Sequence, residues 1–209
     1  LALAGVFVAS LVAVFQSNIK RLLAYSSIAQ VGYMMLGVGL NSLTGLTATL
    51  AHLFNHAITK CALFLAMGSI VLRLGSCELE NLRGLGKRMP VTMAAFVAGG
   101  LSLIGVPLTA GFISKWYLVL GALERGWYAV AGLVLIASLI AVAYVWKVVE
   151  VAYFHEPEGK TALATEAPLS MLIPTWILVG ATFYFGISST FTAGIARRGA
   201  EVLMAGWAP

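Results

Sequence analysis

Apolar residues run along this chain in blocks of about twenty, the length of helix that crosses the hydrocarbon core of a bilayer, and short polar stretches divide the blocks. The first runs from Leu1 to Phe15. After "QSNIKR" a second extends from Leu22 to Leu40, and past "NS" a third extends from Leu43 to Leu72. "RLGSCELENLRGLGKRMP" (Arg73 to Pro90) is the most water-compatible stretch in the middle of the chain. The fourth run, Val91 to Leu123, is too long for one straight crossing and contains "GVPLTAG" (Gly105 to Gly111). The fifth spans Trp127 to Phe154, followed by the loop "HEPEGKTALATEAP" (His155 to Pro168), and the sixth starts at Leu169 and fades near Ile187. The tail, with Arg197, Arg198 and Glu201, reads either as a short interfacial helix or as the start of another segment. The pattern predicts an all-α, polytopic transmembrane helix bundle of about six spans, with residues 1–209 forming a single transmembrane domain.

Composition agrees. Hydrophobic residues make up 60% of the chain and charged residues 10%, with a mean hydropathy of +0.94, whereas a soluble domain is about 25% charged. The formal net charge of +5 follows from lysines and arginines in the connections. Alternate loops sort them into Lys20, Arg21, Arg73, Arg83, Lys87, Arg88 and Lys160 on one side and Arg125, Arg197 and Arg198 on the other. By the positive-inside rule the first group faces the cytoplasm; the membrane expected is the cell's inner (plasma) membrane. No basic stripe is interleaved with aromatics, so nucleic acid is not an expected partner. Cys61 and Cys77 form neither a CxxC nor a metal-finger spacing, and no cofactor or metal site is expected. The chain opens at Leu1 inside an apolar run with no basic n-region, which reads as a fragment of a longer protein rather than as a signal peptide.

The fourth run carries the first chemical signal. Pro107 lacks an N–H and clashes with the carbonyl four residues back, while Gly105 and Gly111 lower the cost of leaving helical geometry. Two half-helices, about Val91 to Ile104 and Gly111 to Leu123, are expected to flank the break. Irregular backbone at membrane depth is tolerated only where protein or a hydrated cavity satisfies it. Lys115 follows four residues after Gly111, and a broken helix with an ionisable residue marks an ion pathway in transporters. The plainer alternative is a packing kink with Lys115 snorkelling to the interface.

The third run carries the second signal. His52, His56 and Lys60 are spaced i, i+4, i+8, so they stack along one helix face about 6 Å apart, close enough for waters to link them into a proton-conducting row. Ionisable groups inside a span are costly and usually functional. Zinc is the weaker reading, because Leu53, Phe54 and Asn55 separate the histidines where a metalloprotease helix has its glutamate. Structural histidines bonded to neighbouring helices are the remaining alternative. Lys147 and Glu150 in "YVWKVVEVAYF" are i, i+3 and are expected to pair or to snorkel; Lys20 is a relay member or a loop anchor. Burial disfavours the charged form of a lysine, which suits it to release and recapture a proton.

Three stretches, "IKRLLAYSSIAQVGYMMLGVG", "HLFNHAITKCALFLAMGSI" and "LSLIGVPLTAGFISKWYL", in this order, strongly resemble the antiporter-like membrane subunits. These subunits are shared by proton-translocating NADH:quinone oxidoreductase (respiratory complex I), Mrp-type cation/proton antiporters and membrane-bound hydrogenase complexes. The resemblance covers about residues 1–155. It implies a subunit with two inverted repeats, each with a broken helix, and a central polar axis of lysines, histidines and a glutamate. It maps Lys20 onto an axis lysine, His52, His56 and Lys60 onto the family's HxxxHxxxK helix, and Lys115 onto the ionisable residue of the second broken helix, where some relatives carry glutamate. The family's Glu–Lys pair and first broken helix lie upstream of these motifs, so the chain is expected to hold the second half of such a subunit. The third stretch leans toward the Mrp-type D subunit. The function implied is translocation of protons, or of a cation such as sodium against protons, with other membrane subunits as partners and no redox centre in this chain. A solute carrier with a substrate pocket at Pro107, and a structural subunit whose polar residues only join helices, are the rival readings.

Overall fold

In the computed structural model, which describes residues 1–206, the chain is helical almost throughout and no strand is found among those residues. The helices are α1 (Ala2–Val14), α2 (Ile19–Gly39), α3 (Leu43–Leu74), a short α4 (Leu85–Arg88), α5 (Pro90–Ile104), α6 (Ala110–Glu124), α7 (Tyr128–Phe154), α8 (Leu169–Ile187) and α9 (Ser189–Ala205). Single 3₁₀ turns sit at Leu79–Leu82 and Thr161–Leu163.

The surface is more apolar than much of the interior. Leu135, Ile136, Leu139 and Trp146 of α7 and Ile173 and Ile177 of α8 are exposed, whereas Ser26, Gln30, His52, Asn55, Thr59, Lys60, Ser102, Ser114 and Lys115 are buried. Water would reverse that arrangement; lipid tolerates it, because hydrocarbon is as good a neighbour for leucine as another helix is. Four helices, α2, α3, α7 and α8, are long and apolar enough to span, while α1 and α5 are shorter apolar helices. The protein is a multi-pass membrane bundle.

Capping explains most of the boundaries. Asn18 accepts from the Arg21 amide and starts α2, three residues before the apolar run, so Lys20 and Arg21 lie in its first turn. Ser42 caps α3 through the Gly45 amide, and Gly75 ends α3 in the left-handed conformation. That helix, 32 residues long and so about 48 Å, is the central post and touches α2, α5, α6, α8 and α9. The segment expected as a plain polar loop, Arg73 to Pro90, is folded instead. It buries Leu79, Leu82, Leu85 and Met89 in the same core as Tyr144 and Val148 of α7, and the Ile19 amide donates to the Cys77 carbonyl at 2.9 Å. The tail is a helix, α9, whose Ala193, Ala196 and Ala200 are buried where it crosses α3, small residues of the kind that let helices approach closely. Arg197 and Glu201 pair on its exposed face.

The fourth apolar run is divided as expected. α5 ends at Gly105, whose φ of 90° closes the helix, and α6 begins after Thr109. Leu108 in the connection also has positive φ, 73°, a conformation costly for a side-chain-bearing residue that the sequence does not advertise. Gly111 has a different role from the one expected. It lies within α6, and a Cβ there would sit 1.9 Å from the Ser102 carbonyl oxygen, so its missing side chain serves close approach of the two half-helices rather than flexibility.

Gly111→Ala is therefore expected to destabilise the detergent-solubilised protein at or above the upper end of the about 1–3 kcal/mol typical of overpacking, seen as a lowered midpoint in thermal unfolding. Gly132→Ala, within α7 where a Cβ meets nothing within 4 Å, is expected not to lower that midpoint, alanine being the better helix former.

A buried lysine and histidine row at the broken helix

The third helix presents His52, His56 and Lys60 toward its neighbours, with His52 and Lys60 buried and His56 half-buried. At one end the Lys60 Nζ donates to the Leu23 carbonyl at 2.7 Å and to the Ser26 hydroxyl of α2. One turn on, the His56 ring stacks on that of His52, centroids 6.3 Å apart and planes 7° from parallel.

The partners of His52 define its chemistry. Its Nε2 lies 3.0 Å from Gln30 Oε1 and its Nδ1 lies 2.8 Å from Ser114 Oγ. A carboxamide oxygen only accepts, so Nε2 carries the hydrogen and the neutral ring offers Nδ1 as acceptor to the Ser114 hydroxyl. When a proton arrives at Nδ1 the direction reverses: Nδ1–H donates to Ser114, whose own hydrogen turns to the Gly111 carbonyl 3.3 Å away. The hydroxyl rotates and no heavy atom has to move. Ser114 is thus a two-position link between the row and the broken helix.

Lys115, the next residue, closes the far end. Its Nζ donates to the carbonyls of Leu103 and Ile104 at 3.1 and 2.8 Å. These belong to the last turn of α5, which has no onward helical partners for them and carries the negative end of the helix dipole. The ammonium also sits 4.9 Å from the centroid of the Tyr33 ring, within cation–π range, and Tyr33 meets His52 edge-on at 5.8 Å. Two further bonds pin the break to α3, and a third joins its two half-helices. Asn55 Nδ2 donates to the Ala110 carbonyl at 2.7 Å, Thr59 and Ser102 hydroxyls are 2.9 Å apart, and the Gly111 amide reaches Ser102 Oγ at 3.4 Å.

Between His52, Asn55, His56 and Thr59 on one side and Ser102 and Gly111 on the other is a cavity of about 10 Å³, close to the smallest that holds one water. Asn55 Oδ1 and His56 Nδ1, on two residues that line it, are buried without a protein partner. Much larger clefts lie elsewhere, such as one of about 460 Å³ at the loops around Arg83 and Lys160, away from the row. Among the described residues no third metal-binding side chain joins His52 and His56.

Of the residues singled out from sequence, His52, His56, Lys60 and Lys115 come together with Gly105 and Gly111. Pro107 is on the exposed side of the break. Lys20 does not join: it is exposed on the first turn of α2, one turn before Leu23. The expected Lys147–Glu150 pair does not form. Lys147 instead donates to the carbonyls of Val14 and Gln16, 3.1 and 3.2 Å away, because the end of α1 offers free acceptors nearer than a carboxylate, and Glu150 is exposed. Gln30, Ser114, Tyr33, Thr59 and Ser102 were not singled out. Polar residues inside apolar runs were the available signal, and Asn55 stood between the two histidines.

The family model described as NADH:quinone oxidoreductase/Mrp antiporter, TM, matches residues 1–141. This chain belongs to that family. Subunit N of the NADH-quinone oxidoreductase of Desulforudis audaxviator is 39% identical over 190 residues, 85% of this chain and 38% of that protein. A chain of the membrane-bound sulfane sulfur reductase, an archaeal respiratory membrane complex, superposes with a TM-score of 0.86 at 33% identity, covering 96% of this chain and 40% of the other. A chain of the Mrp complex from Dietzia sp. gives the same score at 26% identity, covering 95% and 45%. The chain thus spans about two fifths of the length of the curated relatives it matches. All the residues of the row lie inside the family match, and Lys147 and Glu150 lie outside it.

The bond directions at His52 are directly observable. In ¹⁵N-histidine solid-state NMR of the membrane-embedded protein at neutral pH, His52 is expected as the Nε2–H tautomer with Nδ1 unprotonated. Dominance of the Nδ1–H tautomer would contradict the assignment of Gln30 and Ser114 as its acceptor and donor.

Proposed function

We propose that this chain is the proton-relay half of an antiporter-like subunit, carrying protons across a plasma membrane as part of a multi-subunit complex. The observation that carries this reading is the continuity of the row. Lys60, His56, His52, Ser114 and Lys115 follow one another through the bundle interior: Lys60 lies one helical turn from His56, His56 stacks on His52, His52 bonds Ser114 and Lys115 is the next residue, with a water-sized cavity beside them. Lys20, exposed at the loop end of α2, is the entry member, reached once the rest of the subunit covers it. Residues 1–209 then form one transmembrane domain, the second half of the subunit.

The chemistry is proton transfer alone. A proton on Lys60 passes by way of His56, whose Nδ1 faces no protein donor or acceptor and is free to exchange with a water. With a water in place of the Ser114 hydroxyl at Nδ1, His52 takes the proton there. Once the bond to Ser114 re-forms, Nδ1 gives the proton to the Ser114 oxygen as that hydroxyl passes its own hydrogen to a water at the start of α6. Lys115, on α6 and bonded to the end of α5, first releases its own proton when a neighbouring charge weakens its hold on the carbonyls, and the neutral amine is then the terminal acceptor. Each elementary charge crossing the membrane is worth about 2.3 kcal/mol per 100 mV, so small changes in lysine proton affinity, at about 1.4 kcal/mol per tenfold, suffice to direct it.

Partners follow from the relatives, whose printed names are subunits or chains of multi-subunit respiratory or antiporter complexes. Subunit N of a quinone-linked oxidoreductase is favoured over an Mrp-type subunit by the higher sequence identity. A solute carrier fits less well. The cavity at the row is far below the roughly 300 Å³ at which small-molecule pockets begin.

His56→Phe tests the relay, because it keeps a flat aromatic ring and removes the nitrogens, of which Nδ1 is buried without a protein partner. In the full-length subunit within its complex, proton pumping is expected to fall at least about tenfold, as for loss of a proton-transfer group, with assembly intact. Normal pumping by that variant would leave only the structural reading of the row.

A further inference from the structure

The last polar connection, His155 to Pro168, sets one carboxylate against the start of a bundle helix. Glu166 Oε2 accepts from the amides of Val91 and Thr92 at 2.8 and 3.4 Å, and Oε1 bonds the Thr92 hydroxyl and the Ala167 amide. The first turn of α5 is thereby fully accounted for. Pro90 has no N–H, Val91 and Thr92 donate to Glu166, and Met93 donates to the Met89 carbonyl. A carboxylate there meets the positive end of the helix dipole, while Lys115 holds the negative end through Leu103 and Ile104. The 15-residue half-helix, about 22 Å long, is gripped at both ends by opposite charges from other parts of the chain.

The grip at the loop end is itself anchored. Arg73, in the last turn of α3, donates from Nε and a terminal nitrogen to the Glu166 carbonyl at 3.0 and 2.6 Å. The bonds therefore close a circuit, from α3 through Arg73 and Glu166 to the start of α5, along that helix to Leu103 and Ile104, and through Lys115 and Ser114 back to His52 on α3. Its closure fixes how far α5 reaches toward the break relative to the row. We propose that Glu166 is a positioning residue for Lys115, setting through α5 the place of the carbonyls that hold the ammonium. This inference rests on the relay reading above and adds to it a remote control point at the loop face.

The test uses the full-length subunit in its complex, with Glu166→Ala, Glu166→Gln and Glu166→Asp compared by proton pumping and by amide hydrogen exchange. A cap of this kind is worth about a factor of ten in local stability, so Glu166→Ala is expected to lower pumping by about that factor. It is also expected to speed amide exchange at Gly105, Val106 and Thr109, just past the far end of α5, where a merely local cap has no influence. Glu166→Asp restores both readouts in large part, and Glu166→Gln, which keeps an acceptor oxygen without the charge, falls between. Wild-type pumping and unchanged exchange at the break in both Glu166→Ala and Glu166→Gln would overturn the positioning role. His56→Phe run in parallel separates the two ideas. If that variant stops pumping while the Glu166 variants do not, only the positioning role falls; if it pumps normally, the relay and the positioning role fall together.

Discussion

Interrupting a helix inside lipid frees backbone groups that no water is there to satisfy, and this constraint organises the molecule. The break between α5 and α6 meets it with side chains. Lys115 takes the Leu103 and Ile104 carbonyls, Asn55 takes Ala110, Ser102 takes the Gly111 amide, and Gly105 and Val106 turn their amides back to Leu101. Each of these bonds would be expendable on a solvated surface, where the net worth of a hydrogen bond is about 1 kcal/mol. In hydrocarbon the alternative is an unsatisfied polar group, several times more costly. The residues that hold the break open are also the ones that line or end the polar row, so the requirements of folding and of the proposed relay fall on the same side chains.

That overlap recurs at other helix ends. Lys147 covers the end of α1, and the Arg125 guanidinium bonds the Leu40 and Asn41 carbonyls at the end of α2. Basic side chains at helix C-termini complement the dipole, and here they come from elsewhere in the chain, tying one helix to another. Lys115 differs from the others in its surroundings: it is buried, faces an aromatic ring and is the neighbour of Ser114, which touches the histidine row. A capping cation in that position is also the one the proposed relay ends on.

Much of this was legible in the sequence. The apolar runs gave the spans, because length against bilayer thickness leaves few choices. Gly105 and Pro107 marked the break, and the i, i+4, i+8 spacing set His52, His56 and Lys60 on one face. What the sequence hid depends on packing between distant segments. Glu150 looked like the partner of Lys147 because helix spacing brings them near, but the free carbonyls of α1, 131 or more residues away, are invisible to local periodicity. Gly111 looked like a flexible residue because its close neighbour, the Ser102 carbonyl, belongs to the other half-helix. Ser114 and Gln30 are ordinary polar residues until the fold sets them on either side of one imidazole, and Glu166 sat unremarked in a loop. The Leu79 to Met89 segment read as solvent-facing because its leucines are spaced irregularly among charges.

The most direct measurement is a cryo-EM map of the full-length subunit in its complex, at a resolution that shows ordered waters. The account predicts density for water touching Asn55 Oδ1 and His56 Nδ1, within an unbroken polar path from Lys60 to Lys115. A dry gap between His56 and its neighbours, closed by aliphatic side chains, or a Lys115 ammonium turned away from the end of α5, would contradict it.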